Sequence, residues 1–187
     1  MSPRHASALT LEHVLLAALD LKPMHGYELY QALSRMEGIS LIWNVKQALL
    51  YAILDKLESN GLLFSQTIPG ETYPPRKYFH LTPAGKSSLQ TWLKTPVRRA
   101  RDIRQEFLAK MIVSDWYGKS EVLDLIHVQE QACLAWKEEL KNRPLTLTQE
   151  NADEWFVYSF RAQRVDGLLK WLKDCEQQVQ QLIAQGG

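Results

Sequence analysis

Asn44 and Gln47 carry amides, Lys46, Arg76 and Lys77 carry positive charge, and Tyr27 and Tyr51 carry hydroxyls on apolar rings. These are the donor types that engage phosphate oxygens, so a backbone-binding surface is the chemistry they suit. Leu49 stands among them with no donor, so at a nucleic-acid groove it can only cover a thymine methyl. The alternatives are a core or simply exposed leucine at position 49, packing tyrosines at 27 and 51, and a solvated strand end at Arg76 and Lys77. Other chemistry finds little footing. His5, His13, His25, His80 and His127 do not pair with each other or with cysteine at metal-ligand spacing. There is no phosphate-cradling glycine loop and no nucleophile motif, so neither an enzyme nor a metal or cofactor is expected.

The chain has 187 residues, 45% of them apolar and 23% charged, which is ordinary globular composition. Lys+Arg 22 against Asp+Glu 21 leaves a formal charge of +1, which excludes a polybasic tail or a supercharged binder. Any basic face must be local. Cys133 and Cys175 are too few and too far apart for a disulfide framework or a zinc site, as in a reducing compartment. Arg4 and His5 before Val14–Leu19 mimic a signal peptide, but Glu12 and Asp20 bracket the apolar run and no cleavage site follows. No run approaches the ~20 apolar residues of a membrane span, so a cytoplasmic protein is expected.

The elements that would position these groups follow from periodicity. Leu11, Val14, Leu15, Ala18 and Leu19 mark a buried-face helix, with Thr10 as its cap and Lys22-Pro23 as its stop. A second helix opens at His25, faces Leu29, Leu33 and Met36 inward and closes at Gly38. A third runs from about Asn44 to Asn60, stopped by Gly61, with Leu50, Ile53, Leu54 and Leu57 as its core stripe. Its opposite face falls near Val45, Ala48, Leu49, Ala52 and Asp55, small and apolar. Asn44, Lys46 and Gln47 at its start supply the polar reach, beside backbone N–H groups that favour a phosphate. Leu62–Ile68 and Arg76–Leu81 read as strands joined through the Pro- and Gly-rich segment 69–75. Glu71 in that tip would repel phosphate. Thr82-Pro83 then caps and begins a helix. Three short helices and a two-stranded hairpin make a winged helix-turn-helix, whose third helix enters a DNA groove. Through Thr95 there are 9 basic and 7 acidic residues, and 13 and 14 thereafter. Placement, not gross charge, must carry the electrostatics.

Specific strings sharpen this. Gly26-Tyr27-Glu28-Leu29 is followed by Leu50-Tyr51-x-x-Leu54-x-x-Leu57-Glu58-x-x-Gly61-Leu62 and by Lys77-Tyr78-Phe79-x-Leu81-Thr82-x-x-Gly85. In order and spacing this resembles the PadR family of bacterial transcriptional regulators, over about the first half of the chain. Two departures stand out. Ala48-Leu49 occupies positions where the family usually has a small residue and then Ser or Gln, and Ala52 replaces a proline. The resemblance implies a double-stranded DNA partner and a regulator, with a repressor reading a palindromic operator as the leading expectation. The alternative is a winged-helix adaptor without specific DNA binding, to which the apolar helix face lends weight.

The second half reads as helical, so the expected class is mainly α with a small β wing. The expected division is a DNA-binding domain at 1–95 and a dimerisation and effector domain at 96–187. Arg98, Arg99, Arg101 and Arg104 cluster at the link, either a solvated face or a contact to DNA or an acidic neighbour. Val122, Ile126, Gln129, Cys133, Trp136 and Leu140 form a heptad seam, broken at Asn142-Arg143-Pro144. Asn151 begins a last helix, with Glu154 as its capping-box partner. A helix to Ala184 is ~50 Å long at 1.5 Å per residue, too long to stand alone. A coiled-coil-like hairpin and a twofold homodimer follow, with Val165, Leu169, Leu172 and Val179 as the dimer seam. Five of the six tryptophans lie from Trp92 onward. By family analogy Trp92, Trp116, Trp155 and Tyr158 would line a pocket for a small aromatic effector; otherwise they are core and interface.

Overall fold

The apolar stripe Leu11, Val14, Leu15, Ala18 and Leu19 is buried on a long first helix, α1 (Pro3–Leu21). A computed structural model describes residues 3–69, 75–143 and 146–186; Glu71 of the wing tip and Pro144 lie outside the described residues. Helix α1 does not begin at Thr10, which is buried in its interior. Alanines at 6 and 8 favour helix, so it extends back past the cap that periodicity alone suggests.

Strand β1 (Met24–His25) leads into α2 (Gly26–Arg35). Met36 then adopts an extended conformation (φ −75°, ψ 99°) and α3 (Glu37–Ile42) follows. The expected stop at Gly38 is therefore a step inside α3. The packing is close there, since a Cβ would lie 3.1 Å from Ile112 Cδ1. The groove-directed helix is consequently the fourth, α4 (Gln47–Ser59), with Leu50, Ile53, Leu54 and Leu57 all buried. It ends in a Schellman turn: Leu62 N–H donates to Leu57 O and Gly61 N–H to Glu58 O, each at 2.9 Å, with Gly61 at φ +70°.

Strands β2 (Leu63–Ile68) and β3 (Arg76–Leu81) pair antiparallel from Leu63↔Leu81 to Ile68↔Arg76. The short β1 adds a third strand on the far side of β3 through Met24↔Phe79 and His25↔Tyr78. The wing is thus tied to the entry of α2. Helix α5 (Pro83–Lys94) opens on Thr82, whose Oγ1 accepts from Gly85 N–H at 3.0 Å, the expected cap. A tight turn (Ala100–Asp102) and a wide π turn (Ile103–Phe107) lead to α6 (Leu108–Tyr117), then α7 (Lys119–Lys141) and α8 (Ala152–Gly186).

Two compact units result: residues 1–93 with 104–113, and residues 94–103 with 114–187. The expected division falls at residue 95, whereas segment 104–113 clusters with the first unit. Its Phe107, Ala109, Lys110 and Val113 are buried. Lys110 is 1% exposed, lies 3.3 Å from Glu106 and sits 5.2 Å over the Trp92 ring. Burial pushes its ammonium below the ordinary lysine range, against the pull of Glu106. The charge therefore costs stability at neutral pH, and the cost is relieved as pH rises through the lowered pKa. Lys110→Met is expected to raise stability by about 1–2 kcal/mol at pH 7, while Glu106→Gln lowers it. Melting curves at pH 7 and pH 10 check this, since the advantage of Lys110→Met should shrink at pH 10.

In the second unit α7 and α8 pack antiparallel, pinned by Lys137–Asp166 at 2.7 Å and His127–Glu176 at 2.9 Å. Val122, Ile126, Gln129 and Cys133 are buried on α7, as their heptad spacing requires. Gln129 is fully buried and satisfied: Val97 N–H donates to its Oε1 at 2.8 Å. Two expectations change. Asn151 makes no capping box; its Oδ1 accepts from Thr148 N–H and its Nδ2 donates to Thr146 O, so it folds the preceding loop. Val165 and Leu172, read as dimer seam, are buried within the chain itself (4% and 0% exposed), with Leu169 and Val179 half-buried. The sequence seam of α8 is largely consumed by its own hairpin.

Candidate nucleic-acid interface

All eight candidate DNA-facing residues lie in the first unit and all are exposed. The core stripe of α4 turns its far side to solvent, which carries Ala48, Leu49, Ala52 and Asp55. Leu49 is 47% exposed, so it is not core. Val45, placed on that outer face by periodicity, is instead buried, because it precedes α4 in an extended segment. Asn44, Lys46 and Gln47 are exposed at the start of the helix, with Lys46 as its N-cap residue.

Tyr27, Tyr51, Arg76 and Lys77 converge on one groove of about 400 Å3, joined by His25, Gly26, Asp55 and Phe79. Gly26 explains the geometry. A Cβ there would stand 2.5 Å from Tyr51 Cε1, so the ring of α4 lies directly on the backbone that begins α2. The Tyr27 hydroxyl accepts from Gln31 Nε2 at 2.7 Å and keeps its own proton for an outside acceptor. Lys77 is held by Glu58 at 2.7 Å, and that lysine, followed by Ser65, keeps the Glu58 carboxyl below the usual carboxylate range. The stability contributed by this pair is present above the ordinary glutamate pKa and is lost as pH falls through the lowered one. Arg76 Nη1 lies 3.4 Å from His25 Nε2. Asp55 is the acid of the groove. From sequence His25 is read only as the opening of α2 and Asp55 only as part of the outer face of α4, neither as a groove donor or acceptor; the signal for His25 is its place just before Gly26, where it caps α2.

A sequence profile described as the transcriptional regulator PadR-like family matches residues 15–91. The chain carries a PadR-like domain. The matched PadR-like span contains every residue of the groove and the exposed face of α4. The family consists of transcriptional regulators rather than enzymes. The chain is 24% identical over 107 residues to the probable transcriptional regulator Rv1176c of Mycobacterium tuberculosis (strain ATCC 25618 / H37Rv), covering 57% of this chain and 56% of that protein. It thus spans just over half the length of that relative. Among solved structures it is similar to smu.1704 from Streptococcus mutans UA159 (34% identity, 46% of this chain and 73% of that one, TM-score 0.37). It is also similar to Bacillus subtilis PadR in complex with operator DNA (21% identity, 90% and 98%, TM-score 0.42).

The four aromatic candidates for an effector pocket are divided between the two units. Trp92 is buried in the first unit, stacked on His13 at 5.0 Å. Trp116, Trp155 and Tyr158 belong to the second unit, where Trp155 meets Phe156 edge-on and Tyr158 lies under Arg143 and Arg161. A cavity of about 810 Å3 in that unit has other walls: Trp136, Leu140, Phe156, Val157, Phe160 and Val165, with five arginines (98, 99, 101, 161 and 164) and Glu139. The cluster at the link faces this cavity, except Arg104, which belongs to the first unit. Arg164 is fixed by a 2.6 Å hydrogen bond to Ala100 O. Among the described residues no helix is long and apolar enough to cross a membrane, and no group of three or more His, Cys, Asp or Glu could hold a metal.

Proposed function

We propose that this PadR-family regulator is a cytoplasmic homodimeric repressor that binds a palindromic operator and releases it to an acidic, planar effector. The observation that carries the DNA-binding reading is the convergence of Tyr27, Tyr51, Arg76 and Lys77 on one groove beside the exposed start of α4. Two hydroxyls and two cations at the junction of helix and wing suit duplex phosphates, while α4 addresses the bases. The dimer is supported by Phe156, Val157 and Phe160, which stand exposed at the start of α8. A second copy covering that stripe closes the neighbouring cavity, whose five arginines outnumber one glutamate and favour an anion. The exposed apolar face of α4 favours a second reading, an adaptor that docks protein there. A gel shift on the chain's own upstream region, with competitor DNA, separates them. Specific retention supports the regulator; no retention, or retention abolished equally by any competitor, supports the adaptor.

Leu49 sets the expected readout. A leucine offers nothing to a base donor or acceptor, but it desolvates a thymine methyl. Leu49→Ser should leave the melting temperature unchanged and shift base preference at one or two positions in a binding-site selection. A large fall in melting temperature would return Leu49 to the core.

A further inference from the structure

Five arginines reach the cavity of about 810 Å3 in the second unit from two directions. Arg98, Arg99 and Arg101 come from the link, where Arg99 is extended (φ −139°, ψ 139°) and Ala100–Asp102 turns tightly. Arg161 and Arg164 come from α8, three residues apart and therefore on one side of the helix. Arg164 joins the two groups, because its Nη2 donates to Ala100 O at 2.6 Å. Arg161 lies 5.6 Å over the Tyr158 ring, which steadies it. Carboxylates offset little of this charge. Among the described residues the one carboxylate within ion-pair distance of any of the five is Asp102, 3.8 Å from Arg101. Glu139 lines the cavity, but among the described residues it pairs with no arginine. Like charges gathered in this way repel one another until an anion enters. Trp136 of α7 supplies a wall of another kind. It is half-buried, and among the described residues its indole meets no other ring and no acceptor.

We propose that this cavity binds a nucleoside triphosphate, with the phosphates on the arginines and the base laid on Trp136. The proposal rests on the effector reading above and deepens it. A single-ring carboxylic acid would answer one guanidinium and leave the others unmatched. A nucleoside triphosphate carries roughly three to four negative charges at neutral pH, since its terminal phosphate titrates near ~6. The planar guanidinium fork suits phosphate oxygens, and two arginine groups facing one space suit a chain of phosphates better than a point charge. The cavity lies toward the upper end of the ~300–1,000 Å3 usual for small-molecule sites, which leaves room for base, sugar and phosphates together. Every base has a π face, so an indole wall takes a base without selecting which one.

Isothermal titration of the full chain with four probes tests this: ATP, adenosine, inorganic triphosphate and cinnamate. ATP should bind once per chain, inorganic triphosphate at least tenfold more weakly, and adenosine and cinnamate at least a hundredfold more weakly. Arg98→Ala combined with Arg99→Ala alters two exposed side chains, and it should weaken ATP and inorganic triphosphate alike, each at least tenfold. Trp136→Leu should weaken ATP about tenfold and leave inorganic triphosphate unchanged, and Trp136→Phe should restore most of that loss. The arginine variant and the comparison of probes on the wild type decide the matter even if Trp136→Leu loosens the hairpin. Inorganic triphosphate binding as tightly as ATP would overturn the base site. ATP binding that ignores the arginine variant would place the nucleotide elsewhere and overturn the proposal. Cinnamate binding as tightly as ATP would overturn the nucleotide and leave the effector reading intact. ATP that binds as expected while the operator stays bound in a gel shift would support the nucleotide site and overturn the effector reading alone.

Discussion

Phe156→Asp combined with Phe160→Asp should split the proposed dimer into folded monomers and weaken binding to the proposed operator by at least a hundredfold. The Lys137–Asp166 ion pair and the His127–Glu176 contact mark the antiparallel register of the hairpin. In that register the first turns of α8 run past Lys141, the last residue of α7, so α7 cannot cover them. They carry Phe156 and Phe160, 60% and 65% exposed. Each phenyl ring removed from water is worth about 1.5–3 kcal/mol, and a twofold contact buries four rings. Aspartates in their place would leave charges desolvated at the same surface. Both rings are mostly exposed in the single chain, so melting should fall little. Sedimentation at low micromolar concentration should give 21.6 kDa for the variant and about twice that for the wild type. Leu172→Asp supplies the contrast, because a fully buried side chain on the hairpin's inner face should unfold the hairpin outright.

Gly85→Ala should lower stability by about 3 kcal/mol, the upper end of ordinary overpacking. A Cβ at Gly85 would collide with Leu62 O and stand 2.8 Å from Leu81 Cδ1. The first of these is backbone and cannot swing aside. Leu62 O also accepts from Thr82 N–H at 3.1 Å and from Thr82 Oγ1 at 3.0 Å. Any retreat therefore disturbs the Thr82 cap and the link between α4 and the wing together. For a chain of this length the change corresponds to a fall of roughly 6–12 °C in melting temperature. Gly61→Ala is the control: there the space is open and only the backbone (φ +70°) resists, so its fall should be smaller.

The elements with a strong local signature were legible from sequence. The stripe Leu50, Ile53, Leu54 and Leu57 fixed the phase of α4 and with it the exposure of Leu49, and Thr82-Pro83 located the start of α5. What was not legible depended on contacts distant in sequence. Two-residue β1 has no periodicity and exists only because β3 offers it an edge. The break at Met36 and the fit of Gly38 against Ile112 depend on a segment more than seventy residues away. The exchange of Val165 and Leu172 for Phe156 and Phe160 as available surface has the same origin. A heptad shows which face is apolar, not whether the chain's own α7 or another copy covers it. In the groove, Tyr27, Tyr51, Arg76 and Lys77 were legible by donor type, whereas His25 becomes informative only once its cap and its distance to Arg76 are known.

Hydroxyl-radical footprinting on the duplex selected by the wild-type protein tests the central claim most directly. A dimer of winged domains should protect two equal patches on one face of the DNA, related by twofold symmetry. Their centres should lie one helical turn apart, about 34–36 Å, or a whole multiple of it. A single protected patch, or uniform protection without symmetry, would contradict the account.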